Sequence, residues 1–416
     1  MKIAIIGSGI SGLTAGYLLS RNHDVTMFEK NNYIGGHTHT HDIEYEGKNW
    51  AVDSGFIAFN ERTYPNFIKL LDQLGVERQV TRMGFSVKSE SEDLEWAGHS
   101  LNGLFAQRSN LIRPSFIKML YGMKRFNQEA RKDLAAIDPQ TTLGEYLLSN
   151  NYSNEFIQHY IIPIGAAIWS TVPNDMMNIP AVFFIRFFEN HGFLQVIDRP
   201  AWWVIKGGSK TYVEKITSGF KDSIRLSTPV KSVKREKDSV TVHFGRQGEN
   251  TEDFDAIVFA THSDQSLAIL EQPTKDEEEI LGAIEYQNNS AILHFDESIL
   301  PKRKNAWSSW NYFLDQDQNK PVALTYNMNI LQGLTCSRTF CVTLNNQGLV
   351  DPKKIIKHLN YEHPLFTVPS INAQKQKRKI SGENNTYYCG AYWRNGFHED
   401  GVVSALDVCS HFGETL

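Results

Sequence analysis

Three histidines at alternate positions, His37, His39 and His41, stand in the stretch GGHTHTHD. On a strand they would project to one face, and neutral imidazole ligates zinc, copper or iron, so the spacing raises a metal site. No other His, Asp or Glu cluster is placed by the sequence to complete such a site. The four cysteines, Cys336, Cys341, Cys389 and Cys409, form no CxxC pair. The expectation is therefore no metal, with His39 and His41 on a strand face. A second constellation lies upstream. Gly7, Gly9 and Gly12 spell GxGxxG, and Glu29 follows twenty residues after Gly9. That is the spacing at which an acid accepts hydrogen bonds from a ribose diol beside a bound pyrophosphate.

The elements that must position these residues are legible nearby. KIAIIGSGISGLTAGYLLSRNHDVTMFEK reads as a buried strand, a glycine turn, an amphipathic helix from Ser11 to Ser20 and a second strand ending in Glu29. In that context the first glycine permits the turn, the second lets backbone approach a pyrophosphate, and the third lets helix pack on strand. The bland alternative is a structural glycine turn. The motif alone does not separate NAD from FAD.

The next residues do separate them. After Glu29 the chain runs KNNYIGGHTHT, with a second glycine pair close behind the acid. This resembles the flavin amine oxidase and phytoene desaturase superfamily, in which a Gly-Gly-Arg-type loop lies along FAD. The resemblance implies FAD contacts from Gly7, Ser8, Gly9, Ile10, Ser11 and Gly12, and from Glu29 and Lys30. It implies others from Gly35, Gly36, His37 and Thr38, with His37 standing where the family has arginine. WAVDSGFIAFNERTYPNF resembles the stretch that reaches the isoalloxazine, here through Gly55, Phe56 and Ile57 after Asp53. By the same resemblance Val230 reaches adenine through its backbone, and Ala260 and Thr261 form a crossover near the adenosine half. Gly390, Gly401 and Val402 serve the flavin end, where a helix opening near Gly401 presents free amides. Ala391 replaces the family's acid, with Glu399 or Asp400 as a substitute.

The implied fold is α/β in a two-domain, α+β arrangement: a Rossmann-like FAD-binding domain of amine-oxidase type, with an inserted substrate domain of mixed sheet plus helices. The first is assigned residues 1–85, 205–282 and 380–416, and the second 86–204 and 283–379. IIPIGAAIWST, FFENHGF, SSWNYF and GFHEDG resemble one subgroup of these flavoproteins, predicted NAD/FAD-binding proteins associated with cyclopropane fatty-acyl synthases. The resemblance implies desaturation of a fatty acyl chain, and association with a fatty-acyl methyltransferase or cyclopropane synthase. YIIPIGAAIWS, IPAVFFIRFF and PAWWV supply an apolar tunnel for such a chain, or simply a domain core.

Hydride transfer to flavin is the chemistry implied, with His398 as first choice of base, Glu399 as second, and Trp393 and Arg394 shaping the adjoining wall. Two other readings stay open: oxidation of an amine, and a flavin-bound accessory subunit without turnover. A net charge of −5 gives no footprint for nucleic acid. No apolar run approaches the ~20 residues of a membrane span. The scattered cysteines fit a reduced, cytoplasmic setting. The basic, apolar-studded run LFAQRSNLIRPSFIKMLYGMKRFNQEARK is either a solvated helix or a peripheral contact with the inner face of a membrane.

Overall fold

A computed structural model describes residues 1–169, 172–195, 200–315, 317, 320 and 323–416. A five-stranded parallel sheet runs Ile224–Arg225, Asp24–Phe28, Lys2–Ile6, Ala256–Phe259, Thr386–Tyr388. Its central strands are apolar almost throughout because both faces are covered. Successive side chains alternate between two cores: Ile3 and Ile5 enter one, Ala4 and Ile6 the other. The first core lies under the helices Ile10–Leu19 and His398–Ser410. The second is closed by the antiparallel sheet Val230–Arg235, Val240–Phe244 and Asn250–Phe254, through Val233, Val240, Val242 and Phe254.

A seven-stranded sheet runs Ile355–Pro364, Tyr286–His294, Cys341–Leu344, Ala323–Asn327, Trp310–Phe313, Phe85–Ser89, Leu94–Ala97. All its pairs are antiparallel except Trp310–Phe313 with Phe85–Ser89. Residues of the helices Pro114–Asp133, Leu143–Ser149, Ile162–Trp169 and Ala181–Asn190 form one apolar cluster with Val87, Tyr312 and Leu324 of this sheet. Among the described residues no helix is long and apolar enough to cross a membrane.

Several expectations need correction. The glycine-turn helix spans Ile10–Leu19 and is not amphipathic: nine of its ten residues are buried, because sheet, C-terminal helix and the helix Lys210–Thr217 enclose it. The C-terminal helix opens at His398, three residues before Gly401. The second strand ends at Phe28, leaving Glu29 just beyond it. The breaks expected at 85/86 and 204/205 fall inside continuous strands, Phe85–Ser89 and Trp202–Ile205, the latter hydrogen-bonded to both Ala58–Asn60 and Arg78–Thr81.

One buried carboxylate ties three of these parts together. Asp53, fully buried at the end of strand Lys48–Asp53, accepts from Thr40 Oγ1 (2.5 Å), from Ser209 N and Oγ (3.0 Å each), and from Gln332 Nε2 (3.1 Å). Burial outweighs these donors and raises its pKa to about 6. A carboxyl whose folded pKa lies above its unfolded value favours the fold most when protonated, and that advantage is lost as pH rises through the folded pKa. Asp53→Asn keeps an acceptor oxygen and does not titrate. The stability of the wild type minus that of this variant is expected to fall by roughly 1.4 kcal/mol per pH unit between about pH 4 and about pH 6. Urea denaturation followed by circular dichroism measures it, and a difference that stays flat over that interval contradicts the assignment.

Candidate functional site

A cavity of about 880 Å³ runs from the carboxyl ends of the parallel strands to the helical layer. At its nucleotide end the chain leaves strand Lys2–Ile6 through Gly7, whose φ of +101° is open to glycine at little cost. An added Cβ there would stand 2.8 Å from the Ala260 carbonyl oxygen. Gly9 caps the next helix without a side-chain hydrogen bond, so the first helical amides carry no internal partner. A Cβ on Gly9 would meet nothing within 4 Å, while one on Gly36 would lie 3.1 Å from Gly9 Cα. Two glycine backbones thus form one bare wall of the cavity.

Glu29 holds that wall. Its carboxylate accepts from Ser8 N (3.0 Å), Ser8 Oγ (2.6 Å) and Asn31 N (2.8 Å). Three of about four acceptor positions are used, and one remains for a ribose hydroxyl. Lys30, Val230, Ala260 and Thr261 line the same end.

The histidines do not form one ligand face. His37 precedes the strand Thr40–Tyr45 and lines the cavity, its ring stacked 5.1 Å from Tyr361 and tilted against His363 at 5.3 Å, with His262 at 6.3 Å. One ring nitrogen bonds the Glu362 backbone, and Nε2 is buried without a partner. His39 stacks on Tyr33 at 4.2 Å and lies tilted against His41 at the same distance, and His41 Nε2 meets Ser54 Oγ at 2.8 Å. Burial, chiefly, lowers all of them: His39 to about 4, His41, His262 and His363 to about 3, and His37 below its ordinary value. Among the described residues no three His, Cys, Asp or Glu side chains are grouped so as to hold a metal ion.

Near the opening of the C-terminal helix the candidate catalytic residues separate. His398 lines the cavity, its ring stacked on Phe56 at 3.5 Å and its Nε2 2.9 Å from Thr38 Oγ1 and 3.1 Å from Tyr212 OH. Burial holds its pKa well below the ordinary value. Glu399, expected beside the flavin, instead accepts from Asn66 N and Nδ2 and from Phe67 N, capping the helix Pro65–Gln73. Trp393 is buried in the core on the other face of the parallel sheet, and the half-exposed Arg394 side chain pairs with Asp400 at 3.8 Å. Neither lines the cavity, so of the four candidates only His398 does.

Among the expected cofactor contacts, Gly7, Ser8, Gly9, Ile10, Ser11, Gly35, Gly36, Gly55, Phe56, Ile57 and Gly390 line the cavity as well. Gly12, Thr38, Gly401 and Val402 do not. Gly12 packs against the Gly7 carbonyl, Thr38 bonds His398, Gly401 abuts Ile10 and Ser11, and Val402 is fully buried. Their part is to bring backbones together. Sequence reasoning missed His262, Tyr286, Tyr361 and His363, which reach the cavity from strand and helix ends far apart in the chain and carry no local motif.

Beyond His398 the cavity extends as an apolar arm lined by Ile168, Trp169, Phe187, Phe193, Trp202, Phe366 and Phe397. Phe187 stacks at 3.8 Å on His191, whose Nδ1 lies 3.0 Å from the Phe187 carbonyl.

The residues present fit FAD: an uncapped helix N-terminus, a bare glycine wall, and a carboxylate with an acceptor position to spare. Because Glu29 braces the loop, lines the cavity and is the residue expected to hold the ribose, Glu29→Ala is expected to weaken FAD binding at least tenfold. Fluorescence of released FAD on dilution measures this, and a holoprotein as yellow and as tight as the wild type contradicts the ribose assignment.

Residues 10–326 match the family model described as flavin containing amine oxidoreductase. L-amino-acid oxidase of Mus musculus is 23% identical over 328 residues, 70% of this chain and 47% of that protein. The chain spans about half the length of the L-amino-acid oxidases it matches. Among solved structures, a CLA-producing fatty acid isomerase from P. acnes has a TM-score of 0.72 at 16% identity, covering 99% of this chain and 98% of that one. Cyclohexylamine oxidase from Brevibacterium oxydans IH-35A has 0.70 at 14%, covering 99% of each. At such identities the likeness is one of fold. The family match takes in most of the chain, including Glu29, Gly36 and His37, so this protein belongs to the flavin containing amine oxidoreductase family, with FAD as its cofactor.

Proposed function

We propose that this protein removes hydride from a C–H bond of an apolar substrate, and that the reaction is desaturation of a fatty acyl chain, free or in phospholipid, of methylated or cyclopropane type. The observation that carries the reading is the apolar arm. Its walls are isoleucine, phenylalanine, tryptophan and the His191 ring, which burial keeps neutral, and the cavity's lysines and carboxylates, Glu29, Lys30, Lys231 and Glu362, belong to the nucleotide end or the surroundings of His37. An alkyl chain entering the arm leaves water without stranding a charge. That one neighbour of this fold is described as a fatty acid isomerase is compatible with the reading.

When bound, FAD would take up both hydrogens that desaturation removes, one as hydride and one as a proton. The chain's own residues exclude water from the arm and surround the reacting carbon with aromatic faces, which tolerate developing positive charge. His398 is buried and neutral, and a low pKa disfavours its imidazolium. It therefore suits orienting the wall, through Thr38 and Tyr212, better than storing a proton. Association with a fatty-acyl methyltransferase or cyclopropane synthase is part of the same proposal and is supported by the sequence resemblance.

A second reading, amine oxidation, is favoured by Trp310 and Tyr326, which meet perpendicularly at 5.7 Å on the cavity wall and could flank a C–N bond. Anaerobic mixing of holoprotein with lipids or amines separates the two. Bleaching of the oxidised flavin band by fatty acids or phospholipids with unsaturated, methylated or cyclopropane chains is expected. Bleaching by amines alone moves the assignment to amine oxidation, and no bleaching by either favours an accessory role.

A further inference from the structure

The run from Leu101 to Tyr121 presents a surface that neither the cofactor nor the cavity explains. Of the ten large apolar side chains exposed among the described residues, five lie in these 21 positions: Leu101 (77% exposed), Leu111 (54%), Ile112 (85%), Ile117 (46%) and Tyr121 (69%). They are not randomly oriented. Ile117 and Tyr121 are one turn apart on the exposed side of helix Pro114–Asp133, whose opposite side buries Phe116, Met119, Phe126 and Ala130. Leu111 and Ile112 precede its first turn, and Arg108, donating to Asn102 Oδ1 (2.7 Å), ties the short helix of Leu101 to the same surface.

Charge identifies what would cover it. Residues 101–132 hold seven Lys or Arg and one acid, Glu129, in a chain of net charge −5. Arg108 and Arg113 spend their hydrogen bonds on carbonyl and amide oxygens, those of Phe105, Asn102, Asp93 and Glu92, and neither forms an ion pair among the described residues. Lys124 has no ion-pair partner among the described residues, and Lys118 is 63% exposed although it meets Glu155 at 3.1 Å. Arg125 and Arg131 pair with Glu129 and Glu189, which leaves Arg108, Arg113 and Lys124, with the exposed Lys118, beside the apolar side chains. That combination matches an anionic lipid surface, where the apolar groups enter the acyl boundary and the cations meet headgroup phosphates. A soluble partner protein would need to offer both carboxylates and an apolar pocket for Ile112, 85% exposed, at matching places, whereas an anionic bilayer offers both over its whole surface.

We infer that the Leu101–Tyr121 surface docks this protein on anionic phospholipid bilayers. The same layer supplies the arm: Arg131 of helix Pro114–Asp133 pairs at 2.7 Å with Glu189 of helix Ala181–Asn190, which carries Phe187 into the cavity. Docking would thus hold the apolar arm near a reservoir of acyl chains. The docking itself does not depend on the substrate reading.

Sedimentation of holoprotein with vesicles tests this without turnover. Vesicles of equal parts phosphatidylglycerol and phosphatidylcholine are expected to carry the protein down at low salt, phosphatidylcholine alone to leave it in solution, and high salt to weaken the association. The paired change Ile112→Ser with Tyr121→Ser, and separately Lys118→Glu with Lys124→Glu, are each expected to lower the bound fraction at least tenfold while flavin content stays that of the wild type. Equal binding to neutral vesicles, no binding to either, or unchanged binding by both variants overturns the inference. So does a dimer in solution that the Ile112 and Tyr121 change dissociates, since the surface would then belong to a second copy of the chain.

Discussion

The site depends on two helix N-termini being able to meet. At Gly401 an added Cβ would stand 2.6 Å from Ile10 Cγ2 and 2.9 Å from Ser11 Oγ, so any larger residue would drive the C-terminal helix away from the glycine-loop helix. The glycine-loop helix begins without a side-chain cap, whereas Asp400 in the first turn of the C-terminal helix accepts from Phe397 N at 3.0 Å. The glycine-loop helix therefore presents free amides and about half a positive charge at the point of contact. This positive end is made of backbone. It neither titrates nor reorganises when an anion arrives, and the strands, glycine wall and Glu29 contacts hold it in place.

That arrangement bears on the replacement of the family's arginine by His37. An imidazole with one nitrogen committed to the Glu362 backbone and the other buried brings no charge. Nor can its neighbours, since His262 and His363 lie 6.3 Å and 5.3 Å away and their mutual repulsion adds to burial in keeping all three neutral. Positive charge for a diphosphate is left to the start of the glycine-loop helix, with Lys30 and Lys231 at the nucleotide side of the cavity. Stacked neutral rings pack well, and they leave the polarity of the cavity to fixed dipoles.

What could be read from the sequence was what depends on near neighbours. The glycine turn and Glu29 are legible because strand, turn and acid fall within thirty residues, and the same carboxylate that would face a ribose also closes the loop onto Ser8 and Asn31. Glu399 shows the opposite case. Its position beside His398 suggested a place at the flavin, yet consecutive residues at a helix start point in different directions, and its partners, Asn66 and Phe67, lie more than 330 positions away. The amphipathic reading of the first helix failed for a related reason: polar Ser11 and Thr14 are buried by helices contributed from the far end and the middle of the chain. His262, Tyr361 and His363 were invisible because only tertiary pairing brings their strand ends together.

The apolar arm was legible in composition but not in register. YIIPIGAAIWS is apolar on every side, and all eight residues of Ile162–Trp169 are buried, so no periodicity announces which of them face the cavity. Register is set by a local irregularity. Residues Ile157–Ile161 form a π-helical turn in which Ile162 N bonds the Ile157 carbonyl, and Pro163, which has no N–H to give to the carbonyl of His159, follows at once. The extra residue in that turn rotates everything after it by about 100° relative to an uninterrupted α-helix. Ile168 and Trp169 thereby line the cavity, while Ala166 and Ala167 pack into the core. A proline that reads only as a helix-breaker thus sets the aim of the two side chains at the end of its helix.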